Sequence, residues 1–384
     1  MLPAAQLALA AADIHHRTAE FRALYTRVLA DLQTFIGTRH DVIALAASGT
    51  GAMEAAVTNL TSAGDKVVVL SAGKFGERWR DLARQFGCDV TLVSAPYGQT
   101  FSPDQLSAAL QTGPRAVFMQ ATESSTGARH DIRAVGELLR GSQTLLVVDA
   151  ITGLGTTQLD VDGWGVDVII GGSQKALMAP PGVAYCAISP RAWERMESCK
   201  TPRYYFDLRR ERKAAAKGES AFTPAIATIA ALGAALDYLR NVGSGDLAAG
   251  RDTLIANAEL CAAMTRAAAA ALGLELFAAG APAGALTAVS APQGTDSGQI
   301  VRSFRERFGA HIANGQGEMK GKLFRIAHIG YFDYLDTIGA IAALEQVLAG
   351  LGIKTELGAG VRAAQQVFAE NQRSAVSSQQ SAKA

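Results

Sequence analysis

Three short segments contain residues that could bind or react with a ligand, and the first of them is a turn. Ser48-Gly49-Thr50-Gly51 joins an apolar strand pattern to the helical pattern AMEAAVTNL. Glycines, hydroxyl groups and the free amides of a helix N-terminus together favour a bound phosphate. The same turn is also typical of an ordinary capped helix start. The segment therefore predicts either a phosphate-binding turn or a helix cap.

The other two segments each place a charged residue after a very apolar run. Asp149 ends TLLVVD, where an open α/β sheet places ligand-binding residues. Lys175 follows VDVIIGGSQ and precedes Pro180-Pro181-Gly182, which favours a loop beside the sheet. A lysine in a cleft loses its proton through burial and nearby positive charge, and it then attacks an aldehyde. The alternatives are that Asp149 caps a loop and that Lys175 lies on the surface. Asp167, at the start of VDVII, is expected to stabilise a turn.

One cofactor needs all three features. Pyridoxal 5'-phosphate (PLP) requires a phosphate cradle, a carboxylate for its ring nitrogen and a lysine for its aldehyde. We therefore predict a PLP enzyme in which Lys175 holds the cofactor as a Schiff base.

The elements that must position these residues alternate between strand and helix patterns from Val42 to Ile188. Seven short apolar runs can be read as strands: VIALAA, KVVVL, DVTLV, RAVFMQ, TLLVVDA, VDVIIGG and VAYCAIS. Longer helical patterns separate them, and turn residues such as Gly64-Asp65 mark the boundaries. This alternation predicts an α/β fold with a mostly parallel seven-stranded sheet and helices on both faces.

After Ser189 the sequence changes to long alanine-rich helices and then to a mixed pattern. The helices are expected from Pro224 to about Asn241, and from about Asp246 to Leu272. Two strand patterns, GALTAVSAP and KLFRIAHIG, then alternate with helices near 297–308 and 334–348, which predicts a smaller α+β unit. We expect a large domain over residues 1–245, a small domain over 246–370 and a disordered tail over 371–384.

Composition narrows the class of function. The chain has 384 residues, 49% of them hydrophobic, and a formal net charge of +1, so it offers no electrostatic footprint for nucleic acid. Its apolar runs are too short to span a membrane, and its first residues lack a basic leader, so a cytoplasmic location is expected. The chain contains no CxxC pair, so neither a disulfide framework nor a structural metal site is expected. The four cysteines are expected to be buried small hydrophobes: Cys88, Cys186, Cys199 and Cys261.

Eight segments resemble the class V aminotransferases of the serine–pyruvate and alanine–glyoxylate group. They are IHHRTAEF, SGTGAMEAAVTNL, GDKVVVLSAGKFGERW, TESSTGARHDI, VVDAITGLG, DVIIGGSQKALMAPPG, FTPAI and LFRIAHIG. SGTGAMEA and GSQKALMAPPG are quite specific to this group, and the resemblance covers nearly the whole chain. It implies the PLP-dependent transferase fold of the aspartate aminotransferase type.

The resemblance also implies contacts with the cofactor. Lys175 would form the Schiff base, and Asp149 would pair with the ring nitrogen and hold it protonated. Phe75 would stack on the pyridine ring, and Ser124 would lie near the ring hydroxyl. The remaining matches are to phosphate-binding positions: Ser48, Gly49, Thr50 and Gln174.

Two further matches concern the second subunit and the substrate. Thr223 in FTPAI resembles a phosphate contact delivered from the other subunit, which implies a homodimer with active sites at the subunit interface. Arg325 in LFRIAHIG resembles the arginine that grips the substrate carboxylate, because a planar guanidinium meets a carboxylate with two parallel hydrogen bonds. A surface ion pair is the alternative for Arg325.

The function that the resemblance implies is transamination in two half-reactions with ping-pong kinetics. Serine or alanine is expected as the amino donor, with glyoxylate or pyruvate as the 2-oxo acid acceptor. Transamination of 2-aminoethylphosphonate or ureidoglycine is an alternative, as is a non-catalytic PLP-fold subunit of a larger complex, like the small subunit of a soluble hydrogenase. Cysteine desulfuration is disfavoured because no cysteine lies in a glycine-rich loop of the smaller domain.

Overall fold

The computed structural model of this chain describes residues 1–381, with side chains to residue 374. The strands, in chain order, are β1 (Asp41–Leu45), β2 (Lys66–Ser71), β3 (Asp89–Ser94), β4 (Ala116–Gln120), β5 (Thr122–Glu123), β6 (Ala128–Arg129), β7 (Leu145–Asp149), β8 (Val168–Gly172), β9 (Ala184–Ile188), β10 (Leu286–Ser290), β11 (Ala313–Asn314) and β12 (Leu323–Ala327). The helices are α1 (Pro3–Ala11), α2 (Ala19–Ile36), α3 (Gly49–Leu60), α4 (Lys74–Gln85), α5 (Pro103–Leu110), α6 (Ile132–Leu139), α7 (Pro190–Ser198), α8 (Leu208–Ala215), α9 (Ile226–Val242), α10 (Leu247–Ala271), α11 (Ser297–Phe308), α12 (Tyr334–Gly350) and α13 (Ala359–Ser381).

Seven strands form the central sheet, in the order β1-β9-β8-β7-β4-β2-β3. The pairs β2–β3, β2–β4, β4–β7 and β7–β8 are parallel, and β9 runs antiparallel to both of its neighbours. The carboxyl ends of all the strands except β9 therefore lie at one edge of the sheet. The seven strands are those that the sequence predicts, whereas their order in the sheet is not predicted.

Both faces of this sheet are covered by helices, which explains why its strands are apolar without alternation. In β2, Val67 and Val69 belong to the hydrophobic cluster with α3, α4 and α7. Val68 and Leu70 belong to the cluster with α2, α5, α6 and α9 on the opposite face. Successive strand residues point to opposite faces, so each strand needs apolar side chains at every position.

The smaller sheet has the order β10-β12-β11 and is antiparallel. Phe304 of α11, Phe324 of β12 and Val347 of α12 are all fully buried in its core. Aspartate side chains cap the N-termini of α10, α11 and α12, which fixes where these helices begin: Asp246, Asp296 and Asp333. The predicted helices 224–241, 246–272, 297–308 and 334–348 agree with α9 to α12 within two residues at each end.

The last helix, α13, continues to Ser381, although the sequence predicts a disordered tail from residue 371. The N-terminal half of α13 packs against α10 through Ala364 and Phe368. Once a helix is anchored, each added residue gains a hydrogen bond, so it continues into the polar segment. Residues 382–384 lie outside the described residues. The boundary between residues 245 and 246 falls between α9 and α10 and stays a prediction.

Two expectations from composition can be compared with the fold. Three cysteines are buried, whereas Cys199 is partly exposed and its thiol donates to the carbonyl oxygens of Thr58 and Thr61. No helix of the described chain combines the length and the apolarity needed to span a membrane.

Candidate active site

A cavity of about 170 Å³ lies at the carboxyl edge of the central sheet. Residues that follow β1, β2, β4, β7 and β8 form its walls, as is usual for ligand sites in open α/β sheets. Eight of the ten predicted site residues line it: Ser48, Gly49, Thr50, Phe75, Ser124, Asp149, Gln174 and Lys175. Four residues that the sequence did not single out line it as well: Arg78, Thr122, Ile151 and Thr152.

The turn at the start of α3 presents unpaired polar groups to this cavity. Ser48 is the N-cap residue of α3, but its side chain makes no capping hydrogen bond. The amides of Gly49 and Thr50 have no acceptor within the described residues. A Cβ atom at Gly49 would collide with the side chain of Ile151, so only glycine allows this close packing. Free amides, a free hydroxyl and a helix N-terminus are what a phosphate group requires, so the turn fits one.

Asp149 lies at the end of β7 and is only 6% exposed. Its Oδ1 accepts a hydrogen bond from the amide of Ile151 (2.9 Å), while Oδ2 has no partner in the described part of the chain. Burial raises the pKa of Asp149 to about 6, and the nearby charge of Glu123 also raises it. A buried carboxylate with one unpaired oxygen suits a cationic N–H group such as a protonated pyridine ring.

Lys175 lies in a tight loop after β8. The amide of Met178 donates to its carbonyl oxygen (3.0 Å), and Met178 has a positive φ of 57°, which is rare for a buried non-glycine residue. Burial lowers the pKa of the Lys175 amine, the charge of Asp149 opposes this effect, and the charge of Arg325 adds to it. A lowered pKa increases the fraction of uncharged, nucleophilic amine.

Glu123 is a buried residue that the sequence analysis missed, and it fixes the start of α4. Its Oε2 accepts hydrogen bonds from the amides of Phe75 and Gly76, both at 3.1 Å, and its Oε1 accepts from the amide of Ser125 (3.2 Å). The carboxylate thereby joins α4, which carries Phe75, to the β5–β6 hairpin, which carries Ser124. An acidic residue inside the otherwise uncharged run VFMQATESSTG was the signal that could have identified it.

Arg325 links the smaller sheet to the cavity. It lies on β12, is 9% exposed, and donates from Nη1 to the carbonyl oxygen of Ser124 (2.6 Å). Its Nε and Nη2 donate to the carbonyl oxygen of Asn314 (3.2 and 2.7 Å). Its other two N–H groups have no acceptor among the residues that the structure describes. The alternative of a surface ion pair is wrong, because Arg325 is buried and forms no ion pair with the described residues.

Thr223 is not part of the cavity within one chain. It is exposed and lies in the segment between α8 and α9. A contact delivered from a second subunit remains a prediction.

Arg78 and Ile151 complete the walls. Arg78 lies one helical turn after Phe75 on α4, a spacing that places both on one face and could have identified it. Ile151 lies two residues after Asp149 and packs where a Cβ atom at Gly49 would be. The cavity therefore has an apolar wall as well as its polar groups.

The family model "Aminotransferase class-V" matches residues 5–262. This is more than half of the chain, which therefore belongs to the class-V aminotransferases. The predicted family and enzyme class are confirmed. Membership of this family implies PLP as the cofactor, and the residues around the cavity fit its phosphate, its ring nitrogen and its aldehyde.

Similar proteins carry different functional names. "Soluble hydrogenase, small subunit" of Synechococcus sp. is 40% identical over 94% of both chains. "L-aspartate–glyoxylate aminotransferase" of Paracoccus denitrificans is 34% identical over 92% of this chain and 90% of its own. The solved structure of alanine–glyoxylate aminotransferase from Nostoc sp. has a TM-score of 0.84 at 31% identity, over 90% of this chain and 92% of that one. These similarities confirm the predicted fold.

Proposed function

We propose that this class-V aminotransferase moves the amino group of serine or alanine to glyoxylate or pyruvate by a ping-pong mechanism. We also propose that it acts in the cytoplasm as a homodimer, with Thr223 of each subunit completing the other's active site. The resemblance of its motifs to the serine–pyruvate and alanine–glyoxylate group supports the choice of substrates. So does the similarity to an alanine–glyoxylate aminotransferase.

The arrangement of Arg325 is the observation that carries this proposal. The charge of Arg325 is close enough to the Lys175 amine to lower its pKa, and two of its N–H groups are free. A guanidinium with two free N–H groups can hold a carboxylate with paired hydrogen bonds. The α-carboxylate of an amino acid bound there would bring its Cα near Lys175.

Each residue around the cavity would have its own role in the proposed transamination. Bound PLP supplies an aldehyde carbon and an electron-withdrawing ring. Lys175 would hold that aldehyde, and its amine, once a substrate amine has displaced it, would be the base placed to move the Cα proton. Burial lowers the pKa of this amine, which increases its uncharged fraction. Asp149 would pair its second oxygen with the ring nitrogen and keep a proton there. Phe75, whose amide is held by Glu123, would cover the ring and exclude water.

Two other functions have specific support. Aspartate is the alternative amino donor, because a relative of almost the same length is named for aspartate and glyoxylate. A role as a non-catalytic subunit has the support of the soluble hydrogenase name at 40% identity. The retained lysine, buried aspartate and carboxylate-binding arginine favour an enzyme over that second reading.

A half-reaction screen tests the proposal. The purified holoenzyme is mixed with single amino acids, and the absorption band of the bound cofactor is followed while the released 2-oxo acid is assayed. Serine or alanine is expected to bleach the band and yield hydroxypyruvate or pyruvate, and glyoxylate is expected to restore it. Bleaching by aspartate alone would replace the proposed donor. A band that no amino acid alters would overturn the transaminase proposal in favour of a non-catalytic subunit.

A further inference from the structure

Arg78 is a cationic side chain in the cavity wall to which neither the family resemblance nor the proposed reaction gives a role. Within the described part of the chain, Arg78 and Lys175 are the only cations that line the cavity. Lys175 is committed to the cofactor aldehyde. Arg78 forms no ion pair with a described carboxylate, although most partly buried arginines do.

The position of Arg78 is set by contacts on both sides of its guanidinium. Nη1 donates to Oγ1 of Thr50 at 3.0 Å, so the group lies beside the phosphate-binding turn. The guanidinium carbon lies 4.8 Å from the centre of the Phe75 ring, which gives a favourable cation–π contact. Nε and Nη2 have no hydrogen-bond partner among the residues described, so these N–H groups are available to a ligand.

The phosphate turn lacks a full positive charge of its own. It consists of helix amides and the hydroxyl groups of Ser48 and Thr50, and a helix N-terminus supplies only about half a unit charge. A phosphate ester carries close to two negative charges at neutral pH. Arginine is well suited to the remaining charge because its planar fork of N–H groups matches phosphate oxygens.

We propose that Arg78 binds the phosphate group of the cofactor together with the turn at Ser48–Thr50. The contact with the Phe75 ring holds the guanidinium beside the turn. Arg78 is therefore a cofactor-binding residue, and its contribution depends on the phosphate.

Comparison of PLP with pyridoxal, which lacks the phosphate, isolates this contribution. The full chain is stripped of cofactor, and the dissociation constants of both compounds are measured for the unmodified protein, Arg78→Met, Arg78→Lys and Arg80→Met. Arg80 is a matched control, because it lies on the same helix and pairs only with Asp81. Arg78→Met is expected to weaken PLP roughly 10- to 100-fold, the value of a hydrogen bond between charged groups, and to leave pyridoxal within about 2-fold. Arg80→Met is expected to change neither.

Inorganic phosphate serves as a second probe. It is expected to compete with PLP for the unmodified protein, and to compete at least about 10-fold less strongly in Arg78→Met. Equal weakening of PLP and pyridoxal would overturn the proposal, because it would mean that Arg78 only supports the ring or the fold. Unchanged PLP affinity would overturn it as well.

Arg78→Lys keeps the proposal testable if Arg78→Met does not fold. It retains a charge without the fork, so its loss of PLP affinity should be smaller than that of Arg78→Met and still specific to the phosphate. A loss shared with pyridoxal would count against the proposal in this variant too. None of these measurements requires a turnover, so they stand apart from the choice of substrates.

Discussion

Similar polar residues lie at the two edges of the central sheet, but at one edge their hydrogen bonds are made within the protein and at the other several are not. At the edge where β8 begins and β9 ends, Asp167 is 4% exposed and accepts from the amide of Leu146 (3.0 Å) and the hydroxyl of Ser189 (2.7 Å). Arg191 adds an ion pair with Asp167 at 3.4 Å. We call Asp167, Ser189 and Arg191 the structural edge, because these side chains bind one another and neighbouring backbone groups.

The opposite edge carries Asp149 and Ser48, and Arg325 reaches it from β12 of the smaller sheet through its hydrogen bond to Ser124. We call these three residues the cavity edge. There Asp149 has an unpaired oxygen, Ser48 makes no capping bond, and Arg325 keeps two free N–H groups. A buried polar group without a partner costs free energy, which applies to Asp149 and Arg325, whereas Ser48 is exposed. Unpaired buried groups also occur elsewhere in the described chain, as at Gln120 and His130. Residue type and burial therefore do not separate the two edges, and what marks the cavity edge is that several unpaired groups lie around one cavity.

Replacement of Lys175 by Ala should have the largest effect. Turnover is expected to fall on the order of 10⁴-fold or more, because the variant loses both the group that binds the aldehyde and the base. The free energy of unfolding should change by less than about 0.5 kcal/mol, since the amine has no protein partner. Steady-state kinetics and chemical denaturation measure the two effects, with the exposed Lys200→Ala as a control. Substantial remaining turnover would remove Lys175 from the mechanism.

Replacement of Asp149 by Asn should separate activity from stability. Turnover should fall roughly 10²- to 10⁴-fold, because an amide cannot hold a proton on the ring nitrogen. The pKa of Asp149 is about 6 in the fold and about 3.9 when unfolded. The folded chain thus binds more protons between these values, and Asp149 costs stability as the pH rises through them. Without cofactor, Asp149→Asn should be about 3 kcal/mol more stable than the unmodified chain at pH 8 and within about 0.5 kcal/mol of it at pH 4.

Asp167→Asn is the matched change at the structural edge. It should lower the free energy of unfolding by about 1–3 kcal/mol, because an amide N–H would face the donors that the carboxylate satisfies. Turnover per folded molecule should stay unchanged. If Asp149→Asn instead destabilised the cofactor-free chain as much as Asp167→Asn does, the contrast between the edges would fail.

Arg325→Lys should have an intermediate effect on substrate binding. A lysine amine cannot donate to the carbonyl oxygens of Ser124 and Asn314 and also offer two parallel N–H groups to a carboxylate. The KM for the 2-oxo acid should therefore rise roughly 10- to 100-fold, with a smaller change in kcat. Arg191→Lys is the control, because Arg191 also binds backbone carbonyls, at Ser142 and Thr144. It should affect stability alone. An unchanged KM in Arg325→Lys would place carboxylate binding elsewhere.

The sequence predicted the parts of the fold that repeat a simple pattern. Seven apolar runs correspond to the seven strands of the central sheet, and the alanine-rich patterns that begin at Pro224 and about Asp246 correspond to α9 and α10. The order of the strands was not predictable, because pairing joins segments that are distant in sequence. The hairpin β5–β6 and strand β11 are two residues each, too short to show any periodicity.

Of the site residues, those marked by a local sequence pattern could be predicted, and those whose role depends on a distant segment could not. Asp149 and Lys175 could be identified because each follows a buried strand, and such strand ends meet at one edge. Glu123 and Arg78 were missed because their roles depend on partners from other segments, namely the amides at the start of α4 and the hydroxyl of Thr50. The spacing of Arg78 from Phe75 and the single charge in VFMQATESSTG mark these two residues as candidates, but the partners that give them their roles cannot be read from the sequence.

The smallest expected effect concerns two serines that occupy the same position relative to their helices. Ser189 is the N-cap of α7: it accepts from the amide of Ala192 (3.1 Å) and donates to Asp167 (2.7 Å), so Ser189→Ala should cost about 1–3 kcal/mol of unfolding free energy. Ser48 is the N-cap of α3 without such a bond, so Ser48→Ala should cost the cofactor-free chain less than about 0.5 kcal/mol. It should instead weaken PLP roughly 3- to 10-fold, the value of one hydroxyl hydrogen bond. Denaturation of the cofactor-free chains and titration with PLP measure both quantities. A stability loss for Ser48→Ala equal to that of Ser189→Ala would mean that Ser48 is an ordinary helix cap, the reading that its sequence left open.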